Sequence, residues 1–258
     1  MNLQDKIALI TGGGVRVGRA LALGLAGAGA HVVVHYNRSA AAAEETAELA
    51  RQLGVQALPV QGDLADPDAT VALARAALDA FGQVDLLVHA ASPFVQGSLL
   101  GTDLATWRHV MGVLVDAFFL LARELAPGMM ERGEGAMVSI VDRGVLDPWP
   151  RYLAHGVGKA ALWALTRSLA VDLAPHVRVN AVLPGPVLPP AGFPEELKTA
   201  VGVHGTLLRR WGTPDHVVDA VLFLLQNDYV TGELLVVDGG ERWAHRQPSA
   251  QALRYVEA

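Results

Sequence analysis

The sequence predicts a doubly wound α/β fold, in which a seven-stranded parallel sheet carries helices on both faces. Seven short apolar runs alternate with longer stretches of helical periodicity. Most of the runs are apolar throughout, a pattern typical of strands covered on both sides. A glycine-rich turn, TGGGVRVG at 11–18, follows the first run and precedes the first helical stretch. This regular strand–helix order favours one sheet in one domain over 1–258.

The elements follow one another in a simple order. The predicted strands are 6–12, 31–36, 55–63, 84–92, 135–142, 177–185 and 233–240. The predicted helices are 16–28, 40–53, 67–80, 103–126, 153–174 and 214–226. Asp66-Pro67 and Thr213-Pro214 each supply an N-cap residue followed by proline, which favours a helix start at both places.

Two segments depart from the alternation of strands and helices. Residues 186–206 are rich in proline and glycine, and we expect an irregular substrate or lid loop there, with a plain surface insertion as the alternative. The tail 241–258 follows the last strand and either packs on a neighbouring subunit or frays.

Composition narrows the class of partner. The net charge of -6 argues against nucleic acid and against an anionic membrane surface. The chain has no cysteine, which excludes disulfides, thiolate metal sites and cysteine nucleophiles. No apolar stretch approaches the roughly 18–20 residues that cross a bilayer, and no targeting segment is visible. The histidines are scattered without metal-ligand spacing, so we expect no metal site. Together these features lead us to expect a cytoplasmic protein that acts on a small-molecule substrate.

The glycine-rich turn has the features of a dinucleotide-binding loop. Gly12 and Gly14 allow a tight turn and close approach of the backbone, while Gly18 allows the helix to pack near the sheet. The amides at the helix start then face a pyrophosphate. Val17 completes the turn before Gly18. A simple strand–helix turn is the alternative interpretation.

The end of the second strand indicates which nicotinamide nucleotide is used. NAD sites commonly place an acid here, but the sequence reads HYNRS at 35–39. Arg38 and Ser39, with Arg16 of the glycine loop, can bind a 2′-phosphate by charge-assisted hydrogen bonds. The predicted cofactor is therefore NADP(H); an ordinary exposed role for Arg38 is the alternative.

These features, with VRVNAVLPGPV, YVTGELLVVDGG and the helix bearing Lys159, resemble the short-chain dehydrogenase/reductase family over residues 4–240. Within it the chain is most similar to pteridine reductases and dihydromonapterin reductase-like proteins. Those carry an arginine as at Arg16, a stretch like HYNRS, Asp142 in place of a catalytic serine, and a pterin-stacking aromatic residue as at Phe94.

The resemblance implies further site residues, and members are mostly homotetramers. The implied cofactor contacts are Tyr36, Asn37, Arg38, Ser39, Asp63, Leu64, Ala90, Ala91, Lys159, Pro184, Gly185 and Val187. Lys159 would bind the nicotinamide ribose and lower the pKa of the proton donor. From the residues themselves, Phe94 and Trp149 are candidate apolar walls for a planar substrate, and Tyr152 is expected to line the substrate pocket. Ordinary packing is the alternative for Trp149 and Tyr152, and a direct catalytic role is a further alternative for Tyr152.

Three polar positions depart from the family pattern. His155 stands where the family has its proton-donating tyrosine, and Val113 stands near the position of a helix asparagine. The segment that usually reads NNA in the family reads HAA here, beginning at His89. Because a histidine titrates near neutral pH, we hypothesise that Asp142 and His155 act together as the general acid beside Lys159. A noncatalytic NADPH-binding sensor or partner subunit is the alternative. For His89 a hydrogen-bonded core position is the simpler interpretation.

Overall fold

The computed structural model describes residues 1–190 and 192–246 and contains the predicted parallel sheet. Its strands are β1 Ile7–Thr11, β2 His31–Tyr36, β3 Ala57–Gln61, β4 Leu86–His89, β5 Gly135–Ile140, β6 Val177–Pro184 and β7 Leu234–Val237. All neighbouring pairs are parallel, and the strand order is β3-β2-β1-β4-β5-β6-β7. The chain reverses its winding between β1 and β4, so the crevice at their carboxyl ends is the expected ligand site.

Helices cover both faces of the sheet. They are α1 Arg16–Gly27, α2 Ala40–Gln52, α3 Pro67–Phe81, α4 Leu104–Met111, α5 Ala117–Arg132, α6 Leu153–Asp172, α7 Glu195–Thr199 and α8 Pro214–Gln226. One apolar core lies between the sheet and α1, α2 and α8, and a second lies between the sheet and α3, α5 and α6. This double cover explains why the strands are apolar throughout.

Both predicted helix starts are confirmed. The Asp66 side chain accepts hydrogen bonds from the backbone N–H groups of Asp68 and Ala69, and α3 begins at Pro67. The backbone N–H of Thr213 donates to Nδ1 of His216, and α8 begins at Pro214.

The prediction that the fourth helix ends at 126 is wrong. A π-helical segment, Gly112–Asp116, joins α4 to α5, and α5 continues through Pro127 to Arg132. The missing N–H of Pro127 is tolerated because Leu125, Ala126 and Met129 keep the same face of the helix in the core.

The segment 186–206 is less irregular than expected, because α7 and a π-helical turn, Ala200–His204, form within it. Of the predicted tail, Glu241–Arg246 forms a 3₁₀ helix, while 247–258 lie outside the described residues. None of the helices in the described part of the chain has the length and apolar character needed to span a bilayer.

Candidate active site

The glycine loop joins β1 to α1 in a conformation that depends on two glycines. Gly12 has φ +66, and a Cβ there would lie 3.0 Å from Cα of Ala91. A Cβ on Gly18 would lie 2.0 Å from the carbonyl oxygen of Gly12, a distance that no side chain tolerates. The N-cap residue of α1, Val15, offers no side-chain acceptor to the helix start, and the first turn of α1 holds no acid. The amides at this helix start are therefore suited to an anionic ligand.

A cavity of about 240 Å³ lies beside this loop at the end of β2. It is lined by Gly12, Gly14, Val15, His35, Tyr36, Asn37, Arg38 and Ser39. Six of these are predicted cofactor residues. Val17 instead packs against the core on the α1 side.

The two predicted phosphate-binding arginines differ in their surroundings. Arg38 is exposed and forms no ion pair or hydrogen bond with another described residue. Arg16 extends from the glycine loop, where it has φ +53, to the segment after β6. Its Nη2 donates to the carbonyl oxygens of Leu188 and Pro189 at 3.1 Å and 3.3 Å. Arg38 is thus free to meet a phosphate, whereas Arg16 must first leave these carbonyls.

The other implied cofactor residues follow β3, β4 and β6 around the same crevice. Asp63 and Leu64 follow β3 and lie at its end, where Asp63 Oδ1 accepts a hydrogen bond from the N–H of Ala65. Ala90 and Ala91 donate their N–H groups to Oγ1 of Thr11 at 3.0 Å and 3.1 Å. This pair therefore lies against the start of the glycine loop.

The segment after β6 packs on the end of β7. The N–H of Gly185 donates to the carbonyl of Val237, and a Cβ on Gly185 would lie 2.6 Å from Cα of Asp238. Val187 lines a cavity of about 130 Å³ beside Asp238. Pro184, the last residue of β6, precedes this turn.

Asp142 and His155 form a direct pair. Nε2 of His155 lies 2.5 Å from Oδ2 of Asp142, and its Nδ1 lies 3.0 Å from the carbonyl oxygen of Pro93. A carbonyl and an ionised carboxylate only accept hydrogen bonds, so both ring nitrogens carry hydrogen unless Asp142 itself is protonated. The pair therefore holds one transferable proton between two groups.

The surroundings of Asp142 favour its carboxylate form. Burial would raise the pKa of Asp142, but the hydrogen bond from His155, the charge of Lys159 and the N–H of Gly144 together lower it. The imidazole side chain is 2% exposed and the carboxylate 16%, so the carboxylate is the partner nearer to solvent. Of the two groups, Asp142 is therefore the one better placed to transfer a proton to a ligand in the crevice.

Lys159 lies one helical turn after His155 on α6 and is almost completely buried. Its Nζ donates to the carbonyl oxygen of Ile140 at 2.7 Å, so one of three N–H donors is used. Burial lowers the pKa of Lys159 to about 8, against the opposing charge of Asp142. No other described residue accepts from it, which leaves two donors for a polyhydroxylated ligand.

We expect Lys159→Met to raise the thermal unfolding temperature near pH 7, because the wild-type protein buries a charge there. The folded-state pKa of Lys159 lies below its unfolded value, so the unfolded chain binds more protons between about pH 8 and 10.5. Wild-type stability therefore rises through that window, and the advantage of the variant should shrink.

Thermal unfolding followed by circular dichroism from pH 7 to 10 measures this difference. Lys198→Met, at a lysine 36% exposed and paired with Glu195, is the matched control and should show no such pH dependence. A Lys159→Met protein that is less stable than the wild type at pH 7 would contradict the expectation.

An aromatic group lies over the Asp142–His155 pair. The ring of Phe94 meets His155 edge-on at 5.0 Å, and it lies 4.5 Å from Tyr152 and 6.0 Å from Trp149. Phe94 is 54% exposed despite these contacts. Tyr152 occupies the N-cap position of α6, and its hydroxyl accepts a hydrogen bond from Gln96 at 2.7 Å. The three predicted substrate residues are thus brought together.

His89 is a hydrogen-bonded core residue, as the simpler interpretation predicted. Its Nδ1 lies 3.0 Å from Oγ1 of Thr11, and its Nε2 3.1 Å from the carbonyl oxygen of Val113 in the π-helical segment. Burial, with the charge of Lys159, lowers the pKa of His89 to about 3. The ring is therefore neutral and serves to join β1, β4 and the helix.

Two residues of the site were not predicted. Thr11 receives both amides of the 90–91 pair, and His35 receives the N–H of Gly12 at its Nδ1. Thr11 is the last residue of β1, His35 is the penultimate residue of β2, and both are buried. The available signal was the polar type of these residues at the carboxyl end of otherwise apolar strands.

Known proteins are similar to this chain over most of its length. A family model described as enoyl-(acyl carrier protein) reductase matches residues 14–241. An uncharacterised oxidoreductase of Mycobacterium tuberculosis is 36% identical over 245 residues, covering 92% of both chains. A short-chain type dehydrogenase/reductase of Picea abies is 32% identical and covers 93% of both. The solved 7α-hydroxysteroid dehydrogenase, complexed with NADH and 7-oxo glycochenodeoxycholic acid, superposes with a TM-score of 0.86 at 32% identity, over 93% of this chain and 96% of its own.

Proposed function

The chain belongs to the short-chain dehydrogenase/reductase family, and we propose that it uses NADPH to reduce a pterin-like ring or another small carbonyl or imine compound. Membership makes it an oxidoreductase, in a family that uses nicotinamide cofactors. The observation that carries the finer proposal is the Asp142–His155 pair, one helical turn from the buried Lys159 at the carboxyl edge of the sheet.

The residues of the crevice fit a nicotinamide dinucleotide. The uncapped start of α1 would hold the pyrophosphate, and the cavity beside Ser39 would hold the adenosine end. The two spare donors of Lys159 would bind the ribose on the nicotinamide side. Bound there, reduced nicotinamide supplies the hydride.

The choice of NADPH rests on charge. No acid stands at the end of β2, where NAD sites commonly place one, and Arg38 there lacks a protein partner among the described residues. Arg38 and Ser39 would bind the 2′-phosphate. Arg16 would join them on leaving Leu188 and Pro189.

The protein's own chemistry is delivery of a proton. The proton lies between Nε2 of His155 and Oδ2 of Asp142, which are 2.5 Å apart. We propose that it reaches the substrate from the carboxyl of Asp142, the more exposed of the two groups. As the substrate oxygen or nitrogen becomes basic, Asp142 passes to it the proton that Nε2 of His155 supplies, which leaves a neutral imidazole and a carboxylate. The ammonium of Lys159 stabilises the carboxylate form that remains.

A planar substrate is supported by the aromatic group. Phe94, Tyr152 and Trp149 present ring faces and edges immediately over His155. A flat heteroaromatic ring stacks on such a group with little entropic cost.

We also propose that the protein is cytoplasmic and forms a homo-oligomer. The absence of cysteine suits the reducing cytoplasm. Phe119 on α5 and Val157 and Val171 on α6 are exposed apolar residues, which supports a homo-oligomer, and we propose a tetramer of single-domain chains. Light scattering of the purified protein measures the number of subunits.

Turnover is the direct test. Purified protein is mixed with NADPH, or with NADH, and with dihydropterins, quinones and ketones, and loss of the reduced nicotinamide absorbance is followed. Consumption of NADPH that depends on one of these compounds is the expected result. His155→Tyr should also be active, because a tyrosine at this position can donate beside Lys159.

The noncatalytic alternative has one observation in its favour. Both nitrogens of His155 are bonded inside the protein, and the ring itself is almost fully buried. NADPH binding by calorimetry without turnover of any compound, together with activity in His155→Tyr, would favour that alternative over the reductase.

A further inference from the structure

His35 is a buried histidine directly beneath the glycine loop. It belongs to β2, which lies beside β1 in the sheet, and it is 2% exposed. Its Nδ1 accepts a hydrogen bond from the N–H of Gly12 at 3.0 Å, and its backbone carbonyl accepts one from Gly13 at 2.9 Å. Two successive amides of the loop are therefore held by one residue.

The other ring nitrogen fixes the tautomer. Nε2 of His35 lies 3.0 Å from the carbonyl oxygen of Gly62, which can only accept, so Nε2 carries the hydrogen and Nδ1 carries the lone pair. Burial lowers the pKa of His35, with the carbonyl of Gly62 and the charge of Asp63 opposing, which agrees with a neutral ring.

The ring thus connects two walls of the crevice. On one side is the glycine loop, and on the other is the Gly62–Asp63 edge that follows β3. The cavity of about 240 Å³ that opens between the loop and the end of β2 includes His35 in its lining. A shift of the ring changes the spacing of both walls at once.

We propose that His35 is a positioning residue for the pyrophosphate and the adenosine end of the nicotinamide nucleotide, acting through the N–H of Gly12. The inference rests on the proposed function, since it requires that the crevice binds such a nucleotide. By accepting from Gly12, His35 turns this amide away from the ligand and sets the curvature of the loop, so that the amides at the start of α1 face the phosphates.

Three substitutions separate the two hydrogen bonds of the ring. In His35→Asn the amide oxygen can replace Nδ1 as the acceptor for Gly12, but the side chain does not reach Gly62. In His35→Gln the amide nitrogen can replace Nε2 as the donor to Gly62, and the acceptor for Gly12 is lost. His35→Leu removes both bonds with little change in volume.

His31 offers a matched control on the same strand. Its Nδ1 also accepts from a backbone N–H, that of Gln56 at 3.0 Å, but at the opposite end of β2 from the crevice. His31→Leu therefore leaves the same kind of unpaired amide far from the nucleotide.

The measurements are the Kd for NADPH by titration calorimetry and the thermal unfolding temperature of each protein. We expect His35→Gln and His35→Leu to bind NADPH about tenfold or more weakly, and His35→Asn to stay within about threefold of the wild type. His31→Leu should lose unfolding temperature without any change in Kd.

The outcomes are distinct. If His35→Leu and His35→Gln bind NADPH as tightly as the wild type, or if His35→Asn is as weak as His35→Gln, the positioning role through Gly12 is wrong. Should His35→Leu fail to fold, the Asn and Gln variants alone decide. Wild-type protein that binds neither NADPH nor NADH would instead overturn the proposed function, and this inference with it.

Discussion

Replacing Asp142 by Asn is expected to lower turnover at pH 7 by about 10²- to 10⁴-fold while leaving the fold and NADPH binding intact. The amide oxygen can still accept from the N–H of Gly144, as Oδ1 does now. The amide nitrogen would face Nε2 of His155, so the imidazole must give up its hydrogen there and become neutral. Geometry is thereby kept, and the transferable proton is lost.

The pH profile identifies the cause of the loss. Without the carboxylate, the charged imidazole is less favoured, so the residual activity should disappear at a lower pH than in the wild type. Steady-state rates with saturating NADPH from pH 5 to 9 measure this shift. An unmoved profile would show that the pair is not the acid.

Coupling between the two residues provides a second control. His155→Leu alone and the double variant Asp142→Asn with His155→Leu should be as slow as Asp142→Asn, because residues that act as one unit do not lose activity additively. Losses that multiply in the double variant would assign the two side chains to separate steps.

Stability should follow the same carboxylate. The pKa of Asp142 is lowered in the folded protein, so its contribution to stability is present above the unfolded pKa of about 3.9 and is lost as pH falls through the folded value. Asp142→Asn should therefore be less stable than the wild type near neutral pH. The difference should narrow as the pH falls below about 4.

Much of the fold is readable from the sequence because two local rules agree. Continuous apolar runs indicate strands covered on both faces, and residue pairs such as Asp66-Pro67 start the helices. The observed strands fall within or coincide with the predicted runs, with the largest trims, three residues, at the end of the 84–92 and 233–240 runs. Asp238, one of the trimmed residues, lies after β7, where its carboxylate accepts hydrogen bonds from the N–H groups of Gly240 and Arg242.

The long helix shows where local rules fail. Proline at 127 predicts a helix end, yet the helix continues, because leaving the core would expose the apolar face that includes Leu125 and Met129. Burial of that face depends on α3 and the sheet, which are distant in sequence. The single missing hydrogen bond is the smaller cost.

Part of the candidate site could also be predicted from the sequence, and part of it could not. Asp142 follows the carboxyl end of β5, and His155 and Lys159 share a face of α6, so the fold class brings them together. The predicted contact between Asp142 and His155 is present at 2.5 Å. Their catalytic role stays a prediction. The bond from His35 to Gly12 and the reach of Arg16 to Leu188 depend on the exact path of two loops, which residue patterns do not specify.

Replacing Arg38 by Ala is expected to weaken NADPH binding by about 10- to 150-fold and to change NADH binding by less than about threefold. Hydrogen bonds to charged groups contribute about 1.5–3 kcal/mol, and only NADPH carries the phosphate that would receive them. Arg38 has no competing partner among the described residues, so its removal costs the free protein little.

Arg38→Asp should go further and reverse the preference, because a carboxylate repels the 2′-phosphate and can accept hydrogen bonds from the ribose hydroxyls of NADH. Calorimetric titration of both nucleotides into each variant measures the ratio of the two Kd values. Raising the salt concentration should reduce the wild-type preference, since the contact is exposed.

Two other arginines make the result specific. Arg19 on α1 is partly exposed and already pairs with Glu45 at 2.7 Å, so Arg19→Ala is the control and should leave both Kd values unchanged. Arg16→Ala measures whether Arg16 leaves Leu188 and Pro189 for the phosphate: if it does, NADPH binding weakens, and if it does not, Arg38 and Ser39 bind the phosphate without it. If the wild-type protein binds NADPH and NADH with equal Kd values, the prediction of NADPH preference is wrong. The guanidinium of Arg38 would then contribute nothing to binding of the 2′-phosphate.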